Sequence, residues 1–107
     1  MEILWWRGCP SWEEAIDLVR EEMAAAGLDP DAVEDREIST EEGARTEGMP
    51  GSPTIRVNGR DIQPPGSNPI GLTCRVYRRR DGGTSALPDR ADVRDGLMRA
   101  MEGSDAS

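Results

Sequence analysis

Residues 5–12 read Trp5-Trp6-Arg7-Gly8-Cys9-Pro10-Ser11-Trp12, or WWRGCPSW. Upstream, Glu2–Trp6 is a short, mostly apolar run of the kind that forms a buried strand. Downstream, Trp12, Ala15, Ile16, Val19, Met23 and Ala26 recur three and four apart, which places them on one face of a helix. The octet is therefore a strand-to-helix junction with a cysteine in it. The helix start has two readings. Ser11 with Glu14 fits a capping box, whereas Pro10 as the first helical residue makes Cys9 the N-cap. Gly27 marks the stop.

Working outward, Ala32–Ser39 reads as a second strand. Val33 and Ile38 have opposite parity, which an edge strand tolerates. Thr40, Glu41 and Glu42 look like a helix start that Gly43 and Gly48 keep short. A Gly/Pro loop, GMPGSP (48–53), leads to a strand at Thr54–Val57 with Ile55 and Val57 on one face. Asn58-Gly59 is a strong hairpin turn, and Arg60–Gln63 begins the return. PPGSNP (64–69) is a loop. Leu72–Arg79 alternates, with Leu72, Cys74 and Val76 on one face and Thr73, Arg75 and Tyr77 on the other. Asp81-Gly82-Gly83 is a turn. Asp89 caps a last helix carrying Val93, Leu97, Ala100 and Met101, with Gly103 as its end. One domain over 1–103 with a disordered tail at 104–107 is expected. The first half is a β-α-β unit, which in one sheet requires a parallel pair. The second half is an antiparallel hairpin followed by a helix.

The chain has 107 residues and a net charge of −8. Leu, Ile and Val number 17 and Phe is absent, about 16% of the chain, so the core is small and a covalent link or an interface would help it. All 13 basic residues are arginine. Without Lys there is no Schiff-base chemistry. Without His there is no Cys-His or Ser-His nucleophile pair. The acidic balance argues against nucleic acid as a partner. No signal peptide and no membrane span are legible. A cytoplasmic protein is expected, and in that compartment a pair of cysteines is more often reactive than permanently bridged.

Two motifs, GCPSW (8–12) at the first strand-helix junction and GSPT (51–54) opening the third strand, resemble the thioredoxin-like superfamily. More narrowly, GSPTIRVNGRDI (51–62) with GLTCRVYR (71–78) resembles a group of small bacterial thioredoxin-like proteins. Some members of that group are labelled alkylmercury-lyase-like and some selenoproteins. The resemblance covers residues 2 to about 101. It implies an α/β, thioredoxin-like fold, with a four-stranded mixed sheet flanked by about three helices. It also implies a cis Ser52–Pro53 bond, with Pro53 packed beside the active-site cysteine. Trp12 stands where dithiol members of the superfamily carry their resolving cysteine.

Cys9 is the candidate nucleophile, since a thiol at a helix N-terminus faces unsatisfied N–H groups. Arg7 favours its thiolate, while Glu13 and Glu14 oppose it. With Trp12 excluding a local disulfide, three routes stay open: a monothiol mechanism with a small thiol, a distant resolving cysteine, or no redox turnover. Cys74 is the one other cysteine. If Arg60–Gln63 returns to the active-site end, Cys74 approaches Cys9; if 60–70 is a far-end loop, Cys74 is core. Ser52, Pro53, Trp6 and Trp12 are candidate substrate-binding residues, although the tryptophans also suit a core. No cofactor is expected, and two cysteines without histidine do not make a zinc site. Asp61 and Asp81 are both available as proton donors, and the spacing selects neither. Arg75, Arg78, Arg79 and Arg80 read as a solvated strand end or an anion site. The leading function is thiol redox or thiol transfer with a protein or small-molecule thiol or disulfide, with Cys9 as nucleophile, Cys74 as the distant resolving cysteine and Pro53 shaping the site. The alternative is a non-enzymatic thiol pair that binds a soft metal or a protein partner.

Overall fold

A computed structural model describes residues 1–63, 66 and 68–105 of the chain. Of the expected loop 64–69, positions 64, 65 and 67 lie outside the described residues, as do positions 106 and 107 of the expected tail. The chain is α/β, with a four-stranded mixed sheet and three helices.

Strand β1 (Glu2–Trp5) leads through the cysteine loop to helix α1 (Trp12–Ala25). Ser11 holds the N-cap position, but its side chain makes no cap hydrogen bond, so the capping box with Glu14 does not form. The buried residues Ala15, Ile16, Leu18, Val19 and Met23 carry the inward face. After a single 3-10 turn at Pro30–Ala32, strand β2 (Glu34–Glu37) pairs parallel with β1, from Glu2 opposite Glu34 to Trp5 opposite Glu37. All four β2 residues are exposed, and the strand is an edge. Val33 and Ile38 are buried just outside its two ends, which explains their opposite parity.

Helix α2 (Glu41–Glu47) is capped by the Thr40 hydroxyl, which accepts from the Gly43 N–H at 2.9 Å. It stops at Gly48 in the left-handed conformation. Strand β3 (Thr54–Val57) runs antiparallel to β1, with Ile3 opposite Ile55. Strand β4 (Arg60–Asp61) returns antiparallel to β3. Asn58 and Gly59 between them both have positive φ, 52° and 79°, as a two-residue hairpin turn requires. The order across the sheet is β2-β1-β3-β4.

Alternation along the strands divides the core between the two sheet faces. Ile3, Trp5, Ile55 and Val57 pack with α1 and the last helix, α3 (Arg90–Asp105). Leu4 on the other face packs with Ile38, Ala44 and Met49, on and around α2. Glu22 of α1, nearly buried, takes ion pairs from Arg94 at 3.0 Å and Arg90 at 3.5 Å, fastening α1 to α3. Val93 and Leu97 are buried as predicted, whereas Met101 is largely exposed and the helix runs through Gly103 to Asp105. No helix among the described residues is long and apolar enough to cross a membrane.

The predicted strand at Leu72–Arg79 is replaced by two pieces. Cys74 forms an isolated parallel bridge with Ser52, and strand β5 (Tyr77–Arg78) pairs with strand β6 (Thr84–Ser85) in a separate two-stranded sheet. The alternation holds, but Arg75 and Tyr77 turn inward while Cys74 and Val76 face out. Arg75 is burial-competent because Asp61 neutralises it, and Tyr77 brings more apolar surface inside than Val76 would.

Candidate functional site

The sheet order brings the site together. Because β1 and β3 are antiparallel, the end of β1 that leads to Cys9 and the start of β3 that follows Ser52 lie at one sheet end. Strand β4 runs back toward that same end. The chain then reaches Cys74 beside Ser52. Of the two placements open for Cys74 on the pattern alone, the structure adopts the one beside Cys9.

The cysteine loop is tied down by backbone. The Trp6 N–H donates to the Ser52 hydroxyl at 2.9 Å, and the Cys9 N–H donates to the Trp6 carbonyl at 3.0 Å. The Trp6 ring lies over Gly8 so closely that a Cβ there would fall 2.3 Å from it, so any other residue would have to displace the ring. Cys9 precedes the helix instead of capping it, and its side chain is fully buried. Its Sγ donates to the Ser52 carbonyl at 3.3 Å. Arg7, expected to support the thiolate, is turned toward Glu37 at 3.2 Å and the Trp5 ring.

Ser52 and Pro53 are joined by a cis peptide bond, as the resemblance implies. The Ser52 N–H donates to the Thr73 carbonyl at 2.7 Å, and the Arg75 N–H donates to the Ser52 carbonyl at 2.8 Å. Both backbone partners of Ser52 thus flank Cys74. Gly51, with φ of 102°, passes so near that a Cβ would lie 2.8 Å from the Arg75 nitrogen. Behind the bridge, the Arg75 guanidinium binds Asp61 through two bonds of 2.7 and 3.1 Å and the Gln63 carbonyl at 2.8 Å. It also stacks on the Tyr77 ring, 4.4 Å from its centroid. The Tyr77 hydroxyl donates to the Pro53 carbonyl at 2.7 Å.

Within this frame the two cysteines come within 3.1 Å of each other. Both are free; Cys9 is buried and Cys74 is exposed. The hydrogen bond to Cys9, desolvation of its inner side and the charge that Cys9 can carry all raise the Cys74 thiol above its ordinary range. Burial likewise pushes the Tyr77 phenol upward.

Cys9, Cys74, Ser52 and Pro53 are therefore gathered at one point, with Trp6 attached through its backbone. Trp12 belongs elsewhere: it stacks on Trp5 with ring centroids 4.0 Å apart and packs against the larger core. The arginine run is largely consumed by carboxylates. Arg75 pairs with Asp61, Arg79 with Asp89, and Arg80 with Asp92 and Asp95, whereas Arg78 is exposed and meets Gln63 through its backbone. Asp61 is committed to Arg75, and Asp81 accepts from the Gly83 N–H within its own turn. Among the described residues no three His, Cys, Asp or Glu side chains are grouped to hold a metal. Sequence reasoning missed Gly51, Asp61, Arg75 and Tyr77 as the groups that hold the site. The one available signal was an arginine alternating with tyrosine on a strand face otherwise read as solvated. Comparison with protein-family models, with curated proteins and with solved structures finds no match for this chain.

Proposed function

We propose that the protein is a thiol–disulfide protein in which Cys9 and Cys74 interconvert between dithiol and disulfide. The supporting observation is the 3.1 Å approach of two free cysteines that lie 65 positions apart in the chain (74 minus 9). A disulfide bond is about 2.05 Å long, so roughly 1 Å of closure joins them. In the forward direction the two thiols and a substrate disulfide R–S–S–R′ give the Cys9–Cys74 disulfide, RSH and R′SH. Two electrons and two thiol hydrogens pass to the substrate. The partner is a protein or small-molecule disulfide, or the corresponding thiols in reverse. Trp12 leaves the helix start without a second sulfur, and the segment after β4 supplies one instead.

The parallel β1–β2 pair joined through α1, the β3–β4 hairpin and the cis Ser52–Pro53 bond beside Cys9 are all in keeping with a thioredoxin-like architecture, which we adopt as part of the proposal. Soft-metal binding is the weaker reading. Even the tetrahedral zinc geometry, with metal–sulfur bonds of about 2.3 Å, holds two sulfurs about 3.8 Å apart, and a linearly coordinated soft metal holds them farther, so a metal would have to open the pair.

The test is mild oxidation followed by mass analysis and peptide mapping. The wild-type chain loses two hydrogens and its Cys9 and Cys74 peptides become linked, while Cys74→Ala shows neither change. An oxidant that leaves the two peptides unlinked refutes the proposal.

A further inference from the structure

We infer that Cys74, not Cys9, is the sulfur that meets the substrate, and that Cys9 is the buried resolving thiol. The inference rests on the proposed thiol–disulfide function and reverses the roles expected from the motif. Cys9 has no exposed surface. Its amide is bonded to Trp6, its thiol to Ser52, and Cys74 stands 3.1 Å away. Cys74 is exposed, yet its backbone is fixed on both sides by the Thr73 and Arg75 bonds to Ser52. Exchange needs the incoming sulfur to approach the attacking sulfur directly. Of the two residues only Cys74 is open to an organic disulfide from solvent, whereas Cys9 is reached only after the chain around it opens.

The steps balance. The Cys74 thiol gives up its proton, and its sulfur attacks one sulfur of R–S–S–R′. This forms the Cys74–S–S–R mixed disulfide and expels R′S⁻, which takes a proton. Cys9 then gives up its proton and attacks the Cys74 sulfur from the interior. The Cys9–Cys74 bond forms as RS⁻ leaves and is protonated. The hydrogen bond that holds the Cys74 proton against Cys9 makes the first step slow near neutrality and faster as pH rises.

The full-length chain is treated with the disulfide probe 5,5′-dithiobis(2-nitrobenzoate). In Cys9→Ala the probe adds to Cys74 and the adduct persists. In Cys74→Ala the folded chain reacts roughly 100-fold more slowly, because a fully buried thiol reacts only through opening, and guanidinium chloride restores the reaction. Equal rates for the two variants overturn the inference. Wild-type protein pulsed with limiting iodoacetamide and then mapped gives a reading independent of how well either variant folds: label on Cys74 supports the inference, and label on Cys9 overturns it. If Cys74 takes the probe but no internal disulfide follows, the order of entry stands and the thiol–disulfide function fails. If the internal disulfide forms while the pulse labels Cys9, the function stands and the inference fails.

Discussion

At the residue scale, the decisive contrast is between two thiols with opposite exposure. Cys74 carries its proton against Cys9, and that hydrogen bond is the largest cause of its raised titration. Removing the acceptor removes the cause. Cys9→Ala is therefore expected to lower the pH at which Cys74 becomes thiolate and to speed its alkylation near neutrality, as read from alkylation rates across pH. An unchanged or higher midpoint in Cys9→Ala contradicts the assignment. Cys9 was legible as a candidate because it sits at a strand-to-helix junction, whereas Ser52 and Pro53 were set beside it only by the resemblance of GSPT to a thioredoxin-like motif. Which thiol faces solvent was not legible. Hydropathy groups Leu72, Cys74 and Val76 as the apolar face, whereas the buried Arg75–Asp61 pair and Tyr77 reverse it. A charge that goes inward because a partner 14 positions earlier neutralises it leaves no local periodic trace.

At the scale of the element, the segment Thr73–Arg78 is a strap held by side chains more than by sheet. Arg75 is 0% exposed at its side chain and Asp61 15%, so breaking the pair leaves an uncompensated buried charge. Asp61→Ala is expected to cost about 3–5 kcal/mol in urea unfolding and to slow internal disulfide formation. A loss confined to stability, with the disulfide rate kept in the folded fraction, would show that the pair does not position Cys74. Tyr77→Phe leaves the Pro53 carbonyl without its donor, at a cost of about 1–3 kcal/mol. Tyr77 also makes stability depend on pH. Its folded-state titration is raised, so above about pH 10, the ordinary tyrosine value, the unfolded chain releases a proton that the folded chain keeps. Stability then falls as pH rises. Urea midpoints between about pH 9 and pH 11 should decline less in Tyr77→Phe than in wild type, and parallel declines would contradict this. The helices and the β3–β4 turn were legible because apolar spacing, the Thr40 cap of α2 and Asn-Gly act locally, although the Ser11–Glu14 box and the Gly103 stop do not operate. The break of Leu72–Arg79 into a bridge and a short ribbon was not, because it depends on where Ser52 stands.

Across the whole molecule, a small core is divided over two faces of one sheet, and the segment bearing Cys74 is fastened to it through Ser52, Asp61 and Pro53. A bond between Cys9 and Cys74 closes a loop of about 65 residues, worth on the order of 4 kcal/mol on the chain-entropy model. The oxidised protein is expected to unfold at higher urea than the reduced one, by up to that amount. An oxidised form less stable than the reduced one would mean that closure strains the fold. The β-α-β opening and the hairpin were legible as an order of elements. Their convergence on one sheet end followed from strand directions, which is why the placement of Cys74 beside Cys9 could be preferred over a core placement but not fixed. The most direct measurement is equilibration of the wild-type chain across a series of glutathione redox buffers, quenched in acid and read by mass. A reversible two-electron transition between the dithiol and a Cys9–Cys74 disulfide is the expected result. A chain that stays dithiol throughout, or that ends as glutathione adducts with no internal bond, would contradict the account.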